Sequence, residues 1–281
     1  FVHQRKGWDG SFRIIPDLIP GLEDLGLPLN VAQLSEYREG LVLITGPAGS
    51  GKSTTLAAFI NMLNTSRREH IITLEDPIEY VFESEAAHIS QRQIELHTES
   101  YSQALRAALR EDPDIIVIGE LRDRETVSLA VTAAETGHLV FGTLHTTGAA
   151  QTLHRIQDFF PPDQRNQVRS QISDSLKGII SQRLIPHANG KELCLATEVL
   201  FNISSIANLI REDRIFQVPN MIQINHQRGM KLLDESIQQL LDEEKISGEQ
   251  AYFNANNRKQ FNTFSPLIAG CSEQESTHDR D

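Results

Sequence analysis

Leu41-Val42-Leu43-Ile44-Thr45-Gly46-Pro47-Ala48-Gly49-Ser50-Gly51-Lys52-Ser53-Thr54 is the stretch on which the reading of this 281-residue chain turns. An apolar run of strand length gives way to G-x-x-x-x-G-K-[ST] from Gly46 to Ser53, and a helix-compatible run from Thr54 to Leu63 follows at once. The glycines let successive backbone N–H groups point into one concavity, and the start of the following helix adds partial positive charge. Lys52 then reaches the outer phosphates of a nucleotide and the Ser53 hydroxyl serves Mg²⁺. The expected phosphate-binding set is Gly46, Pro47, Ala48, Gly49, Ser50, Gly51, Lys52, Ser53 and Thr54. A glycine-rich turn without a ligand is the competing reading, and the flanking strand and helix disfavour it.

Outward from this loop, short β-branched runs alternate with helical periods: Ile71-Ile72-Thr73-Leu74, Ile115-Ile116-Val117-Ile118 and Leu139-Val140-Phe141-Gly142. Continuous apolar runs of this kind suit strands covered on both faces, and their alternation with helices predicts an α/β fold with a largely parallel sheet. One helix is marked by Tyr101, Leu105, Ala108 and Leu109. Another is marked by Val127, Ala130, Val131 and Ala134, with Asp123 as its N-cap and Gly137 as its stop. After Pro161-Pro162 the pattern predicts helix after helix, with one stripe of Val168, Ile172, Leu176, Ile179 and Ile180 and another of Leu233, Ile237, Leu240 and Leu241. Ser247 and Gln250 have the spacing of a capping box.

The expected domains are the end of an N-terminal domain at 1–15, with a strand closing on Phe12-Arg13-Ile14-Ile15, and a Pro-broken linker at 16–40. The α/β core follows at 41–200, then a helical C-terminal part at 201–262 and a disordered tail at 263–281. The opening residues lack a starting Met and any signal-like apolar segment, so they read as the middle of a longer protein.

Composition narrows the function. The formal charge is −12, from 38 acidic residues against 26 Lys and Arg, which argues against non-specific nucleic-acid binding. Two cysteines, Cys194 and Cys271, give no disulfide framework and no paired metal motif, so a reducing compartment, the cytoplasm, is expected. No apolar run approaches the roughly 20 residues of a membrane span, so no direct membrane insertion is expected.

Hydrolysis needs a group that positions or deprotonates water, and acids at strand ends are the natural source. The strand Ile115 to Ile118 runs into Gly119-Glu120, a Walker B-like segment with glycine where many carry aspartate, which leaves Glu120 as its acid. The strand Ile71 to Leu74 runs into Glu75-Asp76-Pro77-Ile78-Glu79, and the residues alone do not rank Glu75, Asp76 and Glu79. His138 and His145 bracket the strand Leu139 to Leu144.

In this order the four segments Gly46–Ser53, Glu75–Glu79, Gly119–Asp123 and Gly137–Thr147 resemble the Walker A, Asp, Walker B and His boxes of the type II/type IV pilus secretion ATPase superfamily. The resemblance runs from about Phe12 to about Phe261. It implies a RecA-like P-loop NTPase core with a helical C-terminal part, preceded by the last strand of a PAS-like domain. It implies ATP and Mg²⁺, with Lys52 and Ser53 on phosphate and metal, and it selects Glu79 as a catalytic carboxylate. It also makes Glu120 a second acid near Mg²⁺ or water, and His138 and His145 contacts that couple nucleotide state to shape.

The superfamily's assembly and export members carry a four-cysteine insertion that is not found here, and Ile206-Ala207-Asn208-Leu209-Ile210-Arg211-Glu212 is similar to the AIRNLIRE segment of twitching-motility ATPases. Both point to the retraction branch. Ser205 and Ala207 depart from that segment, which leaves room for an accessory pilus ATPase of weak turnover. A nucleic-acid translocase on the same core is the more distant alternative. The family further implies a homohexamer working on a platform protein at the inner-membrane face of a pilus base. An arginine from a neighbouring subunit is worth about 10³ to 10⁵ in rate, and Arg13 and Arg92 are its candidates.

Overall fold

A computed structural model describes residues 2–10 and 18–265. Its centre is the strand Gly40–Thr45, all six residues of which are buried. In chain order the strands are β1 (Val2–Gln4), β2 (Gly7–Asp9), β3 (Gly40–Thr45), β4 (His70–Glu75), β5 (His88–Gln93), β6 (Ile115–Ile118), β7 (Leu139–Leu144), β8 (Leu176–Pro186) and β9 (Leu193–Phe201). The first two form a small antiparallel hairpin. The other seven make one sheet in the order β5-β4-β6-β7-β3-β8-β9, parallel except for β9, which runs antiparallel to β8.

β3 lies between β7 and β8. The chain leaves β3 toward β4 on one side, and after β7 it crosses to β8 on the other. The strand order therefore reverses between β3 and β7, and a crevice opens at their carboxyl ends. The loop Gly46–Gly51 and residue His145 both emerge into it.

The helices are α1 (Lys52–Ser66), α2 (Tyr101–Ala108), α3 (Arg124–Glu135), α4 (Ala149–Asp158), α5 (Pro162–Ser175), α6 (Ser204–Arg211), α7 (Val218–Ile224), α8 (Leu233–Asp242) and α9 (Gly248–Asn254). Their starts carry the expected caps. Asp123 accepts from Thr126 N at 2.8 Å and Thr126 Oγ1 at 2.9 Å at the head of α3, and Ser247 accepts from Gln250 N at 3.2 Å at the head of α9. Pro162 opens α5, where its fixed φ suits the first helical turn.

Several expectations need correction. The stripe Val168, Ile172, Leu176, Ile179 and Ile180 is split: α5 ends at Ser175, and Leu176 begins the eleven-residue strand β8. Positions Gly178 to Ser181 of β8 are all buried, so no alternation distinguishes it from a helix. The polar strand β5 was not expected at all. Within 16–40, Leu27, Val31 and Leu34 are buried in the main core around a 3₁₀ turn at Leu29–Ser35, so this part is packed rather than a free linker. A 3₁₀ turn at Arg258–Phe264 buries Phe261, and Ser265 is buried as well, so the folded part extends past 262. The expected strand at Phe12–Ile15 and the tail from 266 onward lie outside the described residues.

The C-terminal part builds a second small core. Ile185 and Cys194 of the β8–β9 hairpin meet Leu233, Ile237, Ala251 and Phe261 there. The segment Ile206–Glu212 lies mostly on α6, which buries Ile206 and Ile210. It is tied to α5 by Arg211–Asp174 at 2.8 Å, and Asp213 just beyond it pairs with Arg169 at 3.0 Å.

Asp123→Ala removes both cap bonds of α3, and urea unfolding should show a loss of about 1 kcal/mol. An unchanged midpoint would contradict the capping role.

Candidate active site

The loop after β3 wraps its own lysine. Lys52 Nζ donates to the carbonyls of Gly46 and Pro47, each at 2.9 Å, and the side chain is only 9 % exposed. An ammonium carries three donors, so one remains for a phosphate oxygen. Gly46, Gly49 and Gly51 hold φ of +144°, +75° and +85°, which side chains with a Cβ rarely adopt. Ala48, Gly49, Lys52 and Ser53 line a cleft of about 320 Å³. Ser50 is buried beneath the loop, Gly51 caps α1, and Thr54 accepts a bond from the Tyr80 hydroxyl at 3.0 Å.

Carboxylates form the facing wall. Glu75, Asp76, Glu79 and Glu120 line the same cleft, with Tyr80, Tyr101, Arg122, Thr143 and His145. The strand ends that carry them are bonded together: Gly119 N donates to Leu74 O at 2.7 Å, Leu121 N to Thr143 O at 3.0 Å, and Thr143 Oγ1 to Gly119 O. A Cβ on Gly119 would stand 3.0 Å from both Leu74 O and the Tyr101 hydroxyl, so an aspartate at this position of the Walker B-like segment would be crowded.

The polar side chains of β5 hold the loop that bears Glu79. Gln91 Nε2 donates to Glu75 Oε1 at 3.0 Å and to Tyr80 O at 2.9 Å, and its Oε1 accepts from Phe82 N at 2.8 Å. Gln93 accepts from Ile78 N at 3.3 Å. At the far end of that loop Asn64 of α1 donates to Glu83 O and accepts from Glu85 N.

Opposite charges face one another across the cleft. Burial lowers the pKa of Lys52, opposed by the nearby negative charges of Glu120 and Glu79. Arg122 bridges Glu120 at 2.7 Å and Asp76 at 3.0 Å, and His145 Nε2 lies 3.4 Å from Glu120 Oε1. Burial raises the pKa of Glu75, opposed by its bonds from Thr73 and Gln91.

The fold thus brings Lys52, Ser53, Glu79, Glu120 and His145 together, and it leaves two expected residues elsewhere. His138 immediately precedes β7, about 23 Å from His145 at ~3.3 Å per residue. Its N–H donates to Ala133 O and its Nδ1 lies 3.1 Å from the same oxygen, so it closes the end of α3 at the opposite end of the sheet. His138 and His145 therefore stand at opposite ends of β7. Arg92 lies on the edge strand β5, paired with Glu111 at 2.6 Å and not among the residues lining the cleft. Arg13 falls outside the described residues. Arg122 and Gln91 were not singled out from the sequence, although Arg122 sits two residues from a strand-end acid.

Among the described residues, no group of three or more His, Cys, Asp or Glu side chains forms a metal cage. A nucleotide-bound Mg²⁺ takes most of its ligands from phosphate and water and one or two from protein, which the Ser53 hydroxyl and Glu120 in one cleft fit.

A lysine-bearing phosphate loop at the switch point of a parallel sheet, faced by acids on the adjoining strand ends, defines a RecA-like P-loop nucleotide-binding protein. A family model described as "Type II/IV secretion system protein" matches residues 24–255, and the chain belongs to that family of ATPases. The "Twitching motility protein" of Neisseria gonorrhoeae is 48% identical over 252 residues, 90% of this chain and 67% of its own length. The "Type IV pilus retractation ATPase PilT" of Pseudomonas aeruginosa is 48% identical over 249 residues, 89% of this chain and 72% of its own. A solved structure described as "Crystal Structure of the Pilus Retraction Motor PilT and Bound ADP" superposes with a TM-score of 0.83 at 47% identity, covering 88% of this chain and 70% of that one.

The raised pKa of Glu75 means that the folded chain holds this proton more tightly than the unfolded chain. Its ionisation therefore costs stability as pH rises above about 4 and through the raised value. Glu75→Gln should gain stability relative to the parent at neutral pH, with the difference shrinking in acid. Urea unfolding at both pH values checks it, and a difference independent of pH would refute the assignment.

Proposed function

We propose that this chain is a motor ATPase that hydrolyses ATP to power type IV pilus retraction. It works as a homohexamer in the cytoplasm, on a platform protein at the inner-membrane face of the pilus base. No helix among the described residues is long and apolar enough to cross a membrane. The observation that carries the reading is Lys52, buried in its loop and facing two carboxylates, Glu79 and Glu120, across one cleft. The names of its relatives supply the pilus context.

The loop binds the outer phosphates through its backbone N–H groups and Lys52, and the carboxyl ends of β4 and β6 hold the acids at the γ-phosphate. Glu79 orients the attacking water and takes its proton. The water oxygen bonds to the γ-phosphorus as the bond from that phosphorus to the bridging oxygen breaks, ADP keeps the electron pair of the broken bond, and phosphate leaves. Mg²⁺, when bound, neutralises charge on the outer phosphates, and Ser53 and Glu120 are the residues that would hold it. His145 steadies Glu120, while Arg122 shields it and Asp76 from each other. Arg92 on the outermost strand is our assignment for positive charge supplied across a subunit boundary, exchanging Glu111 for a neighbour's phosphate, with Arg13 as the alternative.

The departures at Ser205 and Ala207 support a second reading, an accessory pilus ATPase with weak turnover. Ala207 is half-buried on α6, where the similar segment of retraction ATPases carries arginine.

Glu79→Gln should lower turnover by about 10² or more while nucleotide is still bound. Undiminished turnover would reject its role, and weak turnover in the parent would favour the accessory reading. In cells carrying Lys52→Ala, labelled pili should persist without shortening. Absent fibres would point to assembly instead.

A further inference from the structure

Away from the cleft, Glu198 on β9 is the acidic side chain in the most closed setting among the described residues, 7 % exposed. Its carboxylate joins two helices. Oε1 accepts from Ala149 N at 2.7 Å, the first residue of α4, and Oε2 accepts from Leu233 N at 3.4 Å, the first residue of α8. Each helix start offers unpaired N–H groups and partial positive charge, so one buried anion satisfies both. Burial nevertheless raises its pKa, opposed by these two bonds, and Asp234 and Glu235 on α8 push it further up.

The geometry leads back to the active site. α4 follows His145 directly, and its first turn grips the intervening loop. Thr146 Oγ1 lies 2.7 Å from Thr152 Oγ1, Thr152 Oγ1 donates to Gly148 O at 2.7 Å, and Thr147 Oγ1 donates to Gln151 Oε1 at 2.7 Å. The loop thus takes its position from the start of α4, which Glu198 holds. Glu198 is also registered on the sheet beside the phosphate loop: it pairs with Ser181 of β8, which in turn pairs with Thr45, the residue before Gly46. Thr45 Oγ1 donates to Ser181 Oγ at 3.0 Å.

We propose that Glu198 is a positioning residue for nucleotide hydrolysis: by anchoring the start of α4 to β9 and α8, it sets the loop that presents His145 to Glu120. The inference rests on the reading of the cleft as a hydrolytic site. It assigns Glu198 no contact with nucleotide, so its loss reaches the reaction only through His145.

The test is a double-mutant cycle in the full-length protein, with ATP turnover, affinity for a fluorescent ADP analogue and thermal melting as readouts. Glu198→Gln should lower kcat about tenfold with nucleotide affinity held within about twofold, and the pair Glu198→Gln and His145→Ala should be no slower than His145→Ala alone. Ser236→Ala is the control. It removes the bond from Thr197 N to Ser236 Oγ at 3.1 Å, loosening α8 from β9 without touching α4, and should lower the melting temperature but leave kcat unchanged. If Glu198→Gln does not fold, Glu198→Asp, which keeps the charge but shortens its reach, is read by the same cycle. An unchanged kcat in a folded variant, losses that multiply in the double variant, or an equal kcat loss in Ser236→Ala would each overturn the proposal. Absence of turnover in the parent protein would instead defeat the reading on which it rests.

Discussion

An ammonium held out of water by two backbone carbonyls is the constraint on which this structure depends. The bonds of Lys52 go to the carbonyls of Gly46 and Pro47, and its charge is answered by Glu79 and Glu120 across the cleft. Such an arrangement is tolerable only if the loop, the strand before it and the helix after it are rigid. β3 supplies that rigidity by being fully buried between β7 and β8, and α1 supplies it from the other side with Phe59, Ile60 and Leu63 in the core.

The cleft is accordingly less a set of catalytic side chains than a meeting of strand ends. β4 brings Glu75 and the loop to Glu79, β6 brings Glu120, and β7 brings Thr143 and His145. Hydrogen bonds between these ends, through Gly119, Leu121 and Thr143, keep the acids at fixed separations. Arg122 lies between Glu120 and Asp76, which lowers the repulsion that so many carboxylates in one cleft would otherwise generate. The cation and the acids therefore need one another: moving either would leave a partly buried charge uncompensated.

Much of this was legible in the sequence, for identifiable physical reasons. β3, β4, β6 and β7 are unbroken apolar runs because both of their faces are covered, and Gly46–Ser53 has a spacing that few other structures require. Hydrophobic pattern failed where it carried little information. β8 continues the helical spacing of α5 because it too is covered on both sides, so Leu176, Ile179 and Ile180 fit either structure. β5 is an edge strand with polar side chains, and its glutamines are bonded to the Glu79 loop rather than packed in a core. His138 and His145 look equivalent along the chain, yet a strand places its two ends at opposite sides of the sheet. Arg122 and Glu198 depend on partners 46 and 49 residues away, at Asp76 and Ala149, which no local pattern announces.

The central claim is that the Gly46–Ser53 loop with Lys52 grips the phosphates of an adenine nucleotide. Isothermal titration of the intact, folded protein with ATP measures this most directly. The account predicts saturable binding at one nucleotide per chain that is lost when Lys52 is replaced by alanine. No heat of binding from well-folded protein, or equal binding by the alanine variant, would contradict it.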